Sequence, residues 1–300
     1  MSDLTQLRTV AITALLFASL AITLGPELIL LSHGIQQPRH GCNFTGAAWG
    51  GWRQAEILRL SHSYFLHSQI TKQDPAGYVL WRTPLGDFWA PKGDGSLFYI
   101  LAELKVHPYF TDPNEVRNKI VLDCGAHLGS FTRQALDAGA ALVVAIDPGA
   151  QQVACLKRTF AREIEAGRVR VEQKAVWDRE TMLYLASGPN TAEASVAGLA
   201  GGSKTQVLTI SIDRLVAEHG LDSVGFIKMD IEGAEIQALA GAAETLRRFR
   251  PRLSIAAYHR PDDYLDIRRQ ASVAVPDYQV NSRGCRTDLN YCAPYLMVFK

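Results

Sequence analysis

Neither sign of charge is in excess here: 31 Lys and Arg stand against 30 Asp and Glu, a formal net charge of +1. That leaves no field to draw in nucleic acid or to steer acidic substrates. No basic stretch is interleaved with aromatics, so nucleic acid is not an expected partner. Cysteine is scarce. Cys42, Cys124, Cys155, Cys285 and Cys292 are too scattered for a disulfide framework, and no C-x-x-C occurs to suggest structural zinc. Reduced thiols in a reducing compartment are therefore expected, and no metal ligands are assigned. Internal repeats and low-complexity segments are also lacking. What remains is an ordinary globular composition, 300 residues with 47% hydrophobic and 20% charged, ample for a sizeable core.

The most informative stretch is Val121-Leu122-Asp123-Cys124-Gly125-Ala126-His127-Leu128-Gly129-Ser130. An apolar strand over 120–122 runs into an acid and a glycine turn, and a helical pattern follows. A second apolar strand, 141–146, ends at Asp147. Strand, glycine turn, helix and an acid about twenty residues on is how a doubly wound sheet holds a nucleoside. A dinucleotide needs G-x-G-x-x-G so that its pyrophosphate can press on bare backbone. Counted from Gly125, the second glycine position is His127 and the third is Ser130. A histidine would stand where a phosphate should lie. S-adenosylmethionine carries no phosphate, and its ammonium and sulfonium suit an acid at a strand end. The loop thus favours S-adenosylmethionine over NAD, with a ligand-free tight turn as the plainer reading.

A second stretch, Phe226-Ile227-Lys228-Met229-Asp230-Ile231-Glu232-Gly233-Ala234-Glu235, repeats the pattern of a short strand ending in acids before a helix expected over 234–249. Together with Ile-Asp-Arg-Leu at 212–215 and the run 123–132, it resembles the FkbM family of S-adenosylmethionine-dependent O-methyltransferases. The resemblance covers roughly residue 78 to the C-terminus. The Asp-Ile-Glu-Gly-Ala-Glu block is quite specific to that family, whereas many methyltransferases share the glycine loop. The family more often has Glu where Asp147 stands; either can hold a ribose. The resemblance implies a class I, Rossmann-like fold: a doubly wound, mostly parallel seven-stranded sheet with an antiparallel C-terminal hairpin. It also places Ala175, Val176 and Asp178 beside the adenine, although Asp178 reads equally as a turn acid before the strand 182–185.

Alternating strands and helices independently imply a mostly parallel sheet covered on both faces. A hairpin is expected over 78–83 and 87–90, and helices over 97–106 and 53–69. Further strands are expected at 168–173 and 207–212, with Asp213 capping the next helix, and a terminal pair at 278–281 and 295–300. Ahead of the main domain (76–300) lie a connector (33–75) and a hydrophobic segment (1–32). Residues 9–25 carry no charge, Pro26-Glu27 interrupts, and Leu28-Ile29-Leu30-Leu31 resumes the apolar run. A span of this length is at the short end for a bilayer. A single-pass anchor through residues 9–31, with the main domain in the cytoplasm, is expected over a cleaved signal peptide, a docked helix or a wholly soluble cytoplasmic protein.

Ligands of open α/β sheets bind outside the carboxyl ends of the strands. Asp123, Asp147, Asp230, Glu232 and His259 all fall at such ends. The expected cofactor-binding set is Asp123, Gly125, His127, Gly129, Ser130, Asp147, Ala175, Val176, Asp178 and Asp230. Methyl transfer to a hydroxyl needs a proton acceptor, so His259, Glu232 and Lys228 are the catalytic candidates. His259 leads by intrinsic pKa. The expected acceptor is a small molecule or glycan. The rival readings are an NAD-dependent oxidoreductase and a non-catalytic, membrane-tethered nucleoside-binding module.

Overall fold

The short apolar runs of the sequence become strands buried on both faces, as a helix-covered parallel sheet requires. The computed structural model describes residues 42, 44–187, 194–195, 203–287 and 292–300. Its central sheet has seven strands: β4 (Ile120–Cys124), β5 (Leu142–Ile146), β6 (Val169–Glu172), β11 (Phe226–Met229), β12 (Arg252–Ala256), β13 (Val280–Thr287) and β14 (Cys292–Phe299). Their order is β13-β14-β12-β11-β4-β5-β6, and a smaller sheet takes the order β7 (Ala175–Val176), β10 (Ser203–Ile210), β8 (Met182–Ser187) and β9 (Ala194–Ser195). The chain winds outward from β4 in both directions, through β5 and β6 on one side and β11 and β12 on the other, all parallel. The expected C-terminal hairpin is present and longer than its sequence pattern. Only β14 runs against the sheet, since it is antiparallel to both β12 and β13.

Period-two alternation divides the core. Leu122, Val144 and Ile227 face one helical layer, packing with Leu215, Leu239, Leu246 and Ile267. Those residues come from α6 (Ile212–Glu218), α7 (Glu235–Ala240), α8 (Ala243–Phe249) and α9 (Asp263–Ala274). Val121, Val143 and Phe226 face the other layer, against Leu104, Phe131, Leu136 and Leu156. These belong to α2 (Ser96–Val106), α3 (Ser130–Asp137) and α4 (Ala150–Thr159). Each fully buried large apolar side chain contributes roughly 1.5–3 kcal/mol, so both layers are firmly fixed.

Three local expectations are corrected. The helix expected over 234–249 is two, α7 and α8, because α8 starts anew with its first amides held from outside. The Asp213 carboxylate accepts from Thr245 N at 2.7 Å and from Glu244 N at 3.0 Å. Asp213 therefore caps α8, while α6 is capped by Ser211, whose Oγ accepts from Arg214 N. The hairpin β2 (Tyr78–Thr83) and β3 (Gly86–Pro91) gains a third strand, β1 (Gln69–Asp74). Its Gln-Ile-Thr-Lys-Gln-Asp sequence is almost wholly exposed, so it carries no hydrophobic alternation to detect. Phe88 and Ala90 of the hairpin pack onto Leu97, Leu101 and Leu128.

The connector is largely one helix, α1 (Phe44–Leu66). At its start Cys42 is disulfide-bonded to Cys285 of β13, 243 positions away. This overturns the expectation of reduced thiols for that pair, which folding brings together from distant segments; Cys124 and Cys155 are free and buried. The expected membrane anchor is also corrected: no helix among the described residues is long and apolar enough to cross a membrane. The 9–31 run that suggested it lies outside the described residues.

Closing so long a loop restricts the unfolded chain, so Cys285→Ser should cost about 2–4 kcal/mol of stability, read from denaturant melts. Peptide mapping without reductant should yield a Cys42–Cys285 cross-linked pair; two alkylatable thiols there would refute the bond.

Candidate active site

The turn between β4 and α3 sets the position of everything around it. Gly125 adopts φ 79°, and a Cβ there would lie 1.9 Å from the Asp230 carbonyl oxygen, so the turn presses directly on the end of β11. Gly129 caps α3 at φ 88°, where a side chain would run into the Phe160 ring. His127 between them takes φ 50°, an uncommon conformation for a residue with a Cβ. The Gly125 and Ala126 amides donate to Ile146 O, and the His127 amide donates to Asp147 Oδ2 at 2.9 Å. The turn is thereby tied to the end of β5.

Beneath it lies a buried ion pair. Asp123 is fully buried; its Oδ2 accepts from Thr132 Oγ1 at 2.7 Å and its Oδ1 lies 3.2 Å from Lys228 Nζ. Lys228 Nζ donates also to Gly125 O at 2.6 Å and Cys124 O at 3.2 Å. Burial pushes the lysine pKa down, but Asp123 and Asp230 outweigh it and hold the ammonium above its ordinary value. Lys228, expected as a catalytic residue, also lines the cavity; its ammonium braces the turn, with Asp123 as counter-ion.

Above the turn a cavity of about 850 Å³ opens at the carboxyl ends of β4, β5 and β11. Of the expected cofactor residues, Gly125, His127, Ser130, Asp147, Ala175, Val176 and Asp230 line it. Asp123 and Gly129 lie outside its wall, supporting the turn. Asp178 is not brought to the cavity; its carboxylate faces Arg179 at 3.5 Å. Asp147 Oδ1 accepts from Gly149 N at 2.8 Å, and burial pushes its carboxyl up to about 6. Each of its oxygens keeps room for a second donor. Burial also pushes the His127 ring down to about 4, so it is neutral at pH 7.

The opposite end of the cavity is acidic. Asp230 accepts from Tyr109 Oη at 2.7 Å and Tyr258 Oη at 3.4 Å, and its Oδ1 lies 3.3 Å from His259 Nε2. Burial would raise the Asp230 carboxyl, yet His259, Lys228 and Tyr109 hold it well below the usual range. Glu232 Oε2 lies 3.6 Å from the same Nε2. Burial, then repulsion from Asp230 and Glu235, pushes Glu232 up to about 7. His259 Nδ1 faces Glu235 Oε1 at 3.2 Å. Burial disfavours the imidazolium, but Glu235 and Asp230 raise its pKa well above that of an ordinary histidine. His259 does not line the cavity. Its ring is enclosed by the acids Asp230, Glu232 and Glu235, which favour the imidazolium.

Glu103, Tyr109, Tyr258 and Tyr295 also line this end and were not anticipated. The Tyr295 hydroxyl donates to Glu103, whose carboxyl is raised to about 7 by burial and by Asp230. Glu103 had one sequence signal, being the only acid in the apolar helix Ser96–Val106. The tyrosines had none, because they come from three distant segments.

The strand order, the glycine turn after β4 and the acid after β5 define a class I, Rossmann-like methyltransferase fold. The family model for the methyltransferase FkbM domain matches residues 123–272, half of the chain, and the chain belongs to that family. The 2-O-methyltransferase NoeI of Sinorhizobium fredii (strain NBRC 101917 / NGR234) is 25% identical over 167 residues, covering 50% of this chain and 68% of NoeI. A crystal structure of methyltransferase FkbM from Methylobacillus flagellatus KT superposes with a TM-score of 0.46 at 19% identity. That alignment covers 84% of this chain and 60% of the other, less than two thirds of its length. A Streptococcus mutans structure in complex with SAH, SMU.1697c, gives a TM-score of 0.37 at 12% identity, over 61% of this chain and 89% of that one.

Removing one member of the Asp123–Lys228 pair should leave an uncompensated buried charge. Lys228→Met is expected to cost about 3–5 kcal/mol in denaturant melts, and adding Asp123→Asn should recover part of the loss. Strictly additive losses would mean that the two charges are not coupled.

Proposed function

We propose that this chain transfers a methyl group from S-adenosylmethionine to a hydroxyl of a small molecule or sugar. One observation carries the reading: a single cavity joins a glycine turn with His127 in place of a second glycine, and Asp147, at one end to a carboxylate cluster at the other. Asp147 would accept from the ribose hydroxyls, and the buried, apolar Ala175 and Val176 would flank the adenine. The ionised Asp230 would face the donor's cationic groups. Family membership supports methyl transfer, and the name of NoeI, a 2-O-methyltransferase, supports a hydroxyl acceptor.

In such a transfer the C–O bond forms as the C–S bond breaks in line, and the electron pair of the C–S bond returns to sulfur. The sulfonium becomes a neutral thioether and the acceptor loses its hydroxyl proton. The cavity positions donor and acceptor and keeps water out. Glu232 is the acid suited to receive the proton, because it lines the cavity and its side chain is one-third exposed. His259 acts through Asp230 and Glu232, and Lys228 through the turn; both are positioning residues.

Titration calorimetry should show binding of S-adenosylmethionine and S-adenosylhomocysteine, and weak binding of NAD. Asp147→Ala should weaken binding of both adenosyl ligands by about 1.5–3 kcal/mol. NAD binding tightly, with no response to S-adenosylhomocysteine, would overturn the cofactor.

Asp147 also gives this affinity a pH dependence. A protonated carboxyl accepts poorly, so affinity should fall as pH drops through about 6, and that step should vanish in Asp147→Asn. The sign for stability is opposite. The folded carboxyl titrates near 6 and an ordinary one near 3.8, so the fold binds this proton more tightly. Its stabilising contribution is complete below 3.8 and is lost as pH rises through 6.

Glu232→Gln should lower turnover by about two to four orders of magnitude while donor affinity is kept. Labelled donor and a panel of hydroxylated small molecules and sugars would measure it. Wild-type turnover in that variant would remove Glu232 from the reaction.

A further inference from the structure

We propose that Asp230, Glu232 and His259 form a divalent-cation site in the wall of the cavity, with its open coordination positions turned towards the acceptor. Asp230 Oδ1 and Glu232 Oε2 lie 3.3 and 3.6 Å from His259 Nε2, and one ligand atom from each residue fits within 4.8 Å of the others. Metal–ligand bonds of about 2.0–2.2 Å put neighbouring ligands roughly 3.0–3.5 Å apart. The two carboxylate–imidazole distances already match that spacing.

The histidine supplies a second, independent observation. Its side chain is only 8% exposed, and Nε2 makes no well-aligned hydrogen bond although it faces both carboxylates. The other ring nitrogen, Nδ1, faces Glu235, which is fully buried and is itself fixed by the Ile231 amide at 3.0 Å. A carboxylate behind the far nitrogen is the arrangement that orients a metal-ligating imidazole and aims its free nitrogen at the ion. Charge favours the same occupant. Three carboxylates, Asp230, Glu232 and Glu235, converge on one imidazole, with Lys228 and Arg286 as further cations acting on Asp230 and Glu232. A cation entering here takes the place of the Nε2 proton and lies between the two acids.

Glu235, His259 and Asp263 make a second possible triad through Nδ1, but Glu235 and Asp263 are 0% and 1% exposed and neither lines the cavity. Asp230 and Glu232 do line it, so an ion between them and His259 has its remaining positions on the cavity side. Two carboxylates with one imidazole suit Mn²⁺ or Zn²⁺ better than Mg²⁺ or Ca²⁺, which prefer oxygen alone. The role of the ion rests on the proposed methyl transfer; its binding does not. As a Lewis acid it would bind the acceptor oxygen and acidify the hydroxyl. The proton would pass to the Glu232 oxygen that does not bind the ion, while the C–O bond forms and the C–S bond breaks.

The test uses the full chain, stripped with a chelator and titrated with MnCl₂ without methyl donor. Calorimetry and Mn²⁺ electron paramagnetic resonance should give one ion per chain, with nitrogen hyperfine coupling from one imidazole and a raised melting temperature. Asp230→Asn and His259→Gln should weaken binding at least about tenfold, and Glu235→Gln about 10–100-fold. Asp263→Asn should leave affinity unchanged; a loss there would move the ion to the buried triad and overturn the site. Should the ligand variants fail to fold, wild-type stoichiometry and hyperfine coupling still decide. A chain that binds S-adenosylmethionine but not Mn²⁺ overturns the metal site alone. A chain that binds Mn²⁺ but neither S-adenosylmethionine nor S-adenosylhomocysteine overturns the methyl-transfer reading alone.

Discussion

The carboxyl edge of the sheet depends on one buried ion pair, Asp123 with Lys228. Removing two charges from water costs several kcal/mol each, and attraction offsets this only when the remaining bonding capacity is satisfied. Thr132 fills the free side of Asp123, and the carbonyls of Cys124 and Gly125 take the remaining donors of Lys228. Those carbonyls belong to the turn itself. The pair therefore binds neighbouring strands β4 and β11 and fixes the turn above them at the same time.

From that turn follow the two ends of the cavity. Tying the His127 amide to Asp147 fixes one carboxylate at the end of β5. Seating Gly125 against the Asp230 carbonyl fixes the other group at the end of β11. β4 is the strand from which the winding diverges, so the two ends face each other across the crevice that open α/β sheets use for ligands. One end is built from amides, apolar side chains and a single acid. Several acids, three tyrosine hydroxyls and the His107 ring line the other, with His259 behind its acids, and within it each acid alters the ionisation of its neighbours. A short backbone turn thus couples two chemically unlike environments.

The acidic end also separates what residue type suggests from what surroundings impose. Histidine is the natural proton acceptor near neutral pH, yet His259 is enclosed by Asp230, Glu232 and Glu235, which push its pKa up. Glutamate is ordinarily ionised, yet Glu103 and Glu232 are both raised to about 7. Lys228 shows the same effect in another form: it lines the cavity, but Asp123 and the turn carbonyls hold its ammonium.

The sequence by itself determined the strand–turn–helix units, the two helical layers and the family, because these rest on local signals: apolar runs, glycines at fixed offsets and acids at strand ends. Most of the glycine-turn end was legible for the same reason, since Gly125, His127 and Asp147 lie within a single β-α-β unit. Three things were decided only by the tertiary structure. Cys42 meets Cys285 across 243 positions, Asp213 caps α8 rather than the helix it begins, and Glu103, Tyr109, Tyr258 and Tyr295 meet at the acidic end. Each is a contact between distant segments, and the charge state of a buried group is the sum of such contacts. Local pattern identifies the groups, but their ionisation depends on which other charges folding brings within a few ångströms in a medium that screens them poorly.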